Sequence, residues 1–148
     1  MKTMFYFLCL LFSIAACNSP ADEAKEEGSA NDLEAARNFI QASLRGEFSK
    51  AKDFMLRDSV NEQHMDAVSR VQLSTHEKQG LWDATINIHS RKLINDSTSI
   101  IIYSNSFHKE NTDTLKVVKN DGKWQVDFKY LFDHDNERFQ NISSTDSL

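Results

Sequence analysis

Cysteine is nearly absent from this 148-residue chain: Cys9 and Cys17 are its two examples, and Cys9 lies inside an apolar leader. No disulfide can therefore hold the rest of the chain, and its fold must rest on a packed core. Proline is rarer still, with Pro20 alone, and the four glycines (Gly28, Gly46, Gly80, Gly122) stand at the edges of patterned segments, where chain breakers mark boundaries. Positive charge is in deficit, with 17 Lys and Arg against 22 Asp and Glu and a net charge of −5. That sign repels polyphosphate, so no nucleic-acid partner is expected, and no basic face exists for anionic lipid. Apolar runs are short as well. Met4 to Ala16 is the longest, at about 13 residues against the roughly 20 that a membrane-crossing helix needs. Neither a phosphate-binding glycine loop, a nucleophile elbow nor a paired zinc motif occurs.

What is present begins with an address. Lys2 gives a small positive start, Met4 to Ala16 is apolar apart from Ser13, and the run closes on Ala15 and Ala16, the layout of a secretory signal. Ile14-Ala15-Ala16-Cys17 resembles the lipobox of bacterial lipoproteins. The resemblance implies diacylglyceryl transfer to the Cys17 sulfur, cleavage before Cys17 and acylation of the new amino group. The expected result is a protein of the bacterial cell envelope, held in the outer membrane through acyl chains on Cys17. Each buried methylene contributes about 0.8 kcal/mol, so two or more chains make such an anchor long-lived.

Cleavage would remove residues 1–16, the signal peptide, and leave about 130 residues, enough for one compact domain and a tether. Residues 17–30, the lipidated cysteine with Asn18 to Ala30, contain nothing apolar larger than alanine after Cys17 and read as a disordered tether with a reach of roughly 20 Å. The acidic run also loosely resembles the export signal of some surface lipoproteins of Bacteroidetes; a plain solvated linker is the competing reading. A domain spans residues 31–132, and residues 133–148 turn polar again, a tail with Phe139 and Ile142 as its only apolar docking points.

Within the domain, Asn31 is placed as an N-cap with Glu34 three residues on, and Leu33, Ala36, Ile40 and Leu44 recur at helical spacing as far as Gly46. A short second helix carries Phe48, Ala51, Phe54 and Met55. A third opens at Asp58 or Ser59 and fades in the polar stretch after Leu73. From Leu81 the period becomes two, which predicts a strand with Trp82, Ala84, Ile86 and Ile88 inward and His89 outward; Thr98 to Phe107 follows as a central strand. Thr112 to Tyr130 reads as a hairpin turning at Asp121-Gly122, with Lys119 opposite Trp124, Val117 opposite Val126 and Lys116 opposite Asp127.

Helices followed by antiparallel strands define an α+β domain, N-terminal helices packed on a curved antiparallel sheet of about four strands. Phe39-Ile40-Gln41-Ala42, Gly46-Glu47-Phe48 and Ala51, with Leu115 to Val118 and Gly122 to Val126, resemble the start and end of small lipoproteins in the nuclear-transport-factor-two-like superfamily, in a branch of undefined function. The resemblance covers about residues 31 to 130 and implies a cone-like shape with a pocket. That superfamily holds isomerases, dehydratases, hydrolases and non-catalytic binders, so the shape selects no activity.

The site residues follow from alternation. The inward positions, Trp82, Ala84, Ile86, Ile88, Leu115, Val117, Trp124, Val126 and Phe128, include no titratable group. Asp127 is expected on the outer face beside Lys116, and Tyr103 in the core with its hydroxyl at the rim. No catalytic residue, cofactor or metal is therefore expected. His64, His76, His89, His108 and His134 are scattered, and Asp133-His134-Asp135 with Glu137 reads as a solvated acidic turn. Lys116, Lys119, Lys123 and Lys129 guard a strand against edge-to-edge pairing rather than forming an anion platform. The expectation is a lipid-anchored, non-catalytic module binding a small molecule or a protein. A small-molecule enzyme using the cone and a structural dimerisation module are the alternatives.

Overall fold

The computed structural model describes residues 28–133, and among them helices precede strands in one α+β unit. The leader, Cys17 and the polar tail, with Phe139, Ile142 and His134, lie outside the described residues. Helix α1 (Asp32–Leu44) starts where Asn31 accepts the Glu34 N–H at 2.9 Å, satisfying a donor that the helix leaves open. It ends at Arg45 and Gly46, the latter at φ +71°. Helix α2 (Phe48–Ala51) runs into a 3-10 turn (Lys52–Phe54), and α3 (Ser59–Ser69) is capped by Asp58, which accepts from Val60 and Asn61.

Helix α4 (Thr75–Trp82) replaces the expected beginning of the first strand. Ser74 and Glu77 form a reciprocal capping box that starts it, and it buries no residue fully. That is why hydrophobic spacing could not reveal it. Trp82 is consequently helical and 48% exposed, not an inward strand residue.

The sheet order is β1 (Ile86–Asn95), β2 (Thr98–Asn105), β3 (Asp113–Asn120), β4 (Lys123–Asp127), all antiparallel. The last hairpin adopts the expected register, with Lys119 opposite Trp124, Val117 opposite Val126 and Lys116 opposite Asp127. Asp121 at φ +48° and Gly122 at φ +81° supply the two left-handed residues that a type I′ turn demands. The core lies between α1 and β3–β4: Phe39, Ile40, Ile101, Leu115, Val117 and Val126 are each 2% exposed or less.

The first strand is shifted and bulged. Ile88 pairs with Tyr103 but Ser90 pairs with Ile102, so His89 is the extra residue and side-chain parity inverts beyond it. Even positions face the helices before the bulge, odd positions after it. The inversion turns Arg91 toward α1, where its guanidinium grips Asp32 through two hydrogen bonds of 2.7 and 2.8 Å. At the other side of the sheet, Ser29 bridges Trp124 and the Leu56 N–H donates to the Val126 carbonyl at 2.8 Å. The edge of β4 is therefore covered, and Gly28 to Ala30, read from sequence with the tether, lie against the domain.

Candidate functional site

The space between the end of α1, the end of α3, α4 and the helical residues 129–133 is a cavity of about 710 Å³. That lies in the ordinary range for small-molecule sites. The inner side chains of α1, Phe39, Ile40 and Leu44, form one wall because they recur at helical spacing. Val68 from α3, Leu81 and Trp82 from α4, and Phe128, Leu131 and Phe132 close the others. Aromatic contacts stiffen this lining: Phe128 packs on Phe39 and on Phe132, each at 5.2 Å between ring centres, and Phe132 stacks on His64 at 4.2 Å.

Polar groups in the lining are few. Ser43 Oγ and Arg45 Nε are buried without a hydrogen-bond partner among the described residues, and the Arg45 guanidinium lies over the Trp82 ring at 5.3 Å. Arg45 also borders a second, more polar depression that includes Arg37, Gln41 and Asp83. Tyr103 forms part of the cavity wall, placed there by β2 alternation beside Ile101. Burial pushes its phenol well up from the ordinary tyrosine range, and the negative charge and hydrogen bond of Asp113, its partner across the sheet, push the same way.

Alternation placed the other inward residues correctly apart from Ala84: Leu115, Val117, Trp124, Val126 and, just past β4, Phe128 are buried in the core, Ile86 and Ile88 pack against it, and Ala84 is buried but precedes β1 and stands outside that cluster. Asp127 is correctly opposite Lys116, at 3.3 Å, but it is only 5% exposed instead of solvated. Asn61 reaches over it from α3 and Lys129 Nζ approaches to 2.9 Å. Burial alone would raise its carboxyl pKa; the hydrogen bonds from Lys129, Asn61 and Lys116 outweigh that and hold it below the usual carboxylate range. Lys116 and Lys129 are thereby engaged in ion pairs.

His89 bonds Ser104 at 2.8 Å, and His76 and His108 flank Phe107. Among the described residues no group of three or more His, Cys, Asp or Glu comes together to hold a metal. The Cys17 assignment lies outside the described residues, and among those described no helix is long and apolar enough to cross a membrane.

Three residues of the site escaped the sequence reading although signals for each existed. Ser43 sits four residues after Phe39 and three after Ile40, on the apolar stripe of α1; Arg45 is one step past it; and Asp113 shares the face of Leu115 by alternation.

No family model matches the chain, and no curated protein matches it. Among solved structures it is similar to the crystal structure of an NTF-2 like protein of unknown function from Shewanella oneidensis MR-1, at 12% identity and a TM-score of 0.46, over 64% of this chain and 89% of that one.

Proposed function

We propose that this chain is a lipid-anchored protein of the bacterial envelope whose domain is a non-catalytic binding module for a small, largely apolar molecule. The observation that carries the binding reading is the cavity of about 710 Å³, walled by apolar side chains and open to solvent. The anchor reading is supported by Met1 to Cys17 and by the ten residues that separate Cys17 from Gly28.

Two experiments test it. The full chain should bind the neutral fluorophore 1-aminoanthracene, and Val68→Trp, which places an indole in the cavity wall, should abolish the signal without altering far-ultraviolet circular dichroism. Binding undiminished in Val68→Trp would refute the assignment to this cavity. For the anchor, Cys17→Ala should yield uncleaved or soluble protein in fractionated cells; processing and membrane retention at the wild-type level would refute it.

Tyr103 beside Asp113 is the feature that favours a catalytic alternative, of the isomerase or dehydratase kind. Its raised pKa argues against one version of that alternative, a phenolate acting as base at neutral pH, and leaves the hydroxyl as a hydrogen-bond donor. The difference in ultraviolet pH titration between the wild type and Tyr103→Phe discriminates. Ionisation near neutrality would favour an enzyme with a phenolate base, and ionisation well above pH 10 would rule that base out.

A further inference from the structure

We infer that the ligand of this cavity is an amphipathic carboxylate, an apolar body closed by one acidic group that docks on Arg45 and Ser43. The inference rests on the cavity reading above and adds the chemistry of the head group. Three observations carry it.

Charge comes first. The chain has a net charge of −5, yet the ionisable side chains bordering the cavity include two cations, Arg45 and Lys78, and no carboxylate. Lys78 makes no ion pair among the described residues. A cavity of positive sign in an acidic protein is a local preference for anions.

Unmet hydrogen bonding is the second. Arg45 Nε and Ser43 Oγ are buried and unpartnered, and a buried polar group left so costs about 1–3 kcal/mol unless something bonds it. An arginine presents only donors, so the missing partner at Nε is an acceptor, and a carboxylate fits its planar fork.

The third is that the neighbouring backbone acceptors are already satisfied. Arg45 N–H donates to Gln41, Gly46 N–H to Ser43 and Glu47 N–H to Ala42, at 2.9–3.2 Å. The end of a helix normally exposes carbonyl oxygens that repel an anion; here those of Gln41, Ala42 and Ser43 are occupied, and Ser43 and Arg45 both border the cavity. The Trp82 ring, 5.3 Å from the guanidinium carbon, restrains the Arg45 side chain, so less rotamer freedom is lost when the head group arrives. Beyond Arg45 the wall is Phe39, Leu44, Leu81 and Phe128, which suits a hydrocarbon body.

Calorimetric titration of the full chain with decanoate, 1-decanol and decyltrimethylammonium, each kept monomeric at pH 7.5, tests the assignment. Decanoate should bind at least tenfold more tightly than decanol, with the cation weakest. Arg45→Gln should collapse the ratio of decanoate to decanol affinity toward one, and Ser43→Ala should reduce it two- to fivefold. Lys119→Gln, a surface cation away from the cavity, should leave the ratio unaltered. Because Arg45 also steadies Trp82, Arg45→Lys serves as a charge-keeping variant and should retain more of the ratio than Arg45→Gln. Equal affinities for decanoate and decanol, or an unchanged ratio in Arg45→Gln, would overturn the head-group assignment and leave the cavity reading standing. Failure of all three compounds to bind would overturn both.

Discussion

The Asn61 amide donates to the Asp127 carboxylate at 3.2 Å, joining the first turn of α3 to the end of β4 across 66 residues of sequence. The same side chain is 0% exposed, reaches the Leu56 carbonyl and Asp58 through Nδ2, and accepts the Lys129 N–H through Oδ1. Two distant stretches of chain, 56–61 and 127–129, meet on one amide. Asn61→Ala would strand several buried groups, and a loss of about 2–3 kcal/mol follows. Asn61→Asp keeps the volume but adds a charge between Asp58 and Asp127, so it should be the less stable of the two at pH 7. Urea unfolding midpoints at constant slope check the order.

Acid should weaken the fold in a defined window. For Asp127 and Asp32 burial alone would raise the pKa, but bonds from Lys129 and Asn61 to the first and from Arg91 to the second leave both lowered. Asp58 is lowered mainly by the Lys129 hydrogen bond and by the Asn61 N–H. A carboxylate whose folded pKa lies below its unfolded value near 3.9 stabilises the protein above that value, and the stability is lost as pH falls through the folded value. Stability should therefore be flat above about pH 5 and fall steadily below about pH 4. Asp127→Asn should be less stable at pH 7 and show a shallower fall; an identical acid limb in both proteins would contradict the assignment.

Gly80 and Phe107 are matched by shape. A Cβ at position 80 would come within 2.1–2.7 Å of the Phe107 ring, so the ring occupies the notch that the glycine leaves. Exchanging a helical glycine for alanine ordinarily gains about 1 kcal/mol. Here overpacking of about 1–3 kcal/mol should reverse the sign. Gly80→Ala alone is expected to destabilise, and in a Phe107→Ala background to stabilise, a coupling that a double-mutant cycle measures.

Arg91 should matter more than its 40% side-chain exposure suggests, because its partner Asp32 is almost wholly enclosed, at 2%. Arg91→Ala leaves that carboxylate buried without its cation, at a cost of about 2 kcal/mol. Arg91→Lys, which keeps the charge but loses the paired donors, should recover part of this. Thermal melts of the three proteins at one salt concentration give the comparison.

How far the sequence could be read depended on how each element is held. Helix α1 and the β3–β4 hairpin were legible to the residue pair, since Phe39, Ile40, Leu115, Val117 and Val126 repeat at the periods that burial on one face imposes. Helix α4 was not, because it is started by the Ser74–Glu77 box and held by Phe107 against Gly80 rather than by an apolar stripe. The parity of β1 was hidden by the bulge at His89, which no local composition announces, and with it the meeting of Arg91 and Asp32. A pocket was implied by the resemblance, but its polar lining stayed out of sight: Ser43 and Arg45 lie at the end of α1, while alternation had directed attention to strand residues.

The direction of α1 has a consequence for encounter. Its 13 residues rise about 1.5 Å each, so Asn31 and Arg45 stand roughly 20 Å apart at the two ends of the helix. Gly28 to Ala30 lie at the Asn31 end, where Ser29 is fastened to Trp124, and Arg45 borders the cavity at the other end of the helix. Under the proposed Cys17 anchor, a leash would therefore join the domain one helix length away from the arginine, leaving that end of the cavity free to meet dissolved molecules.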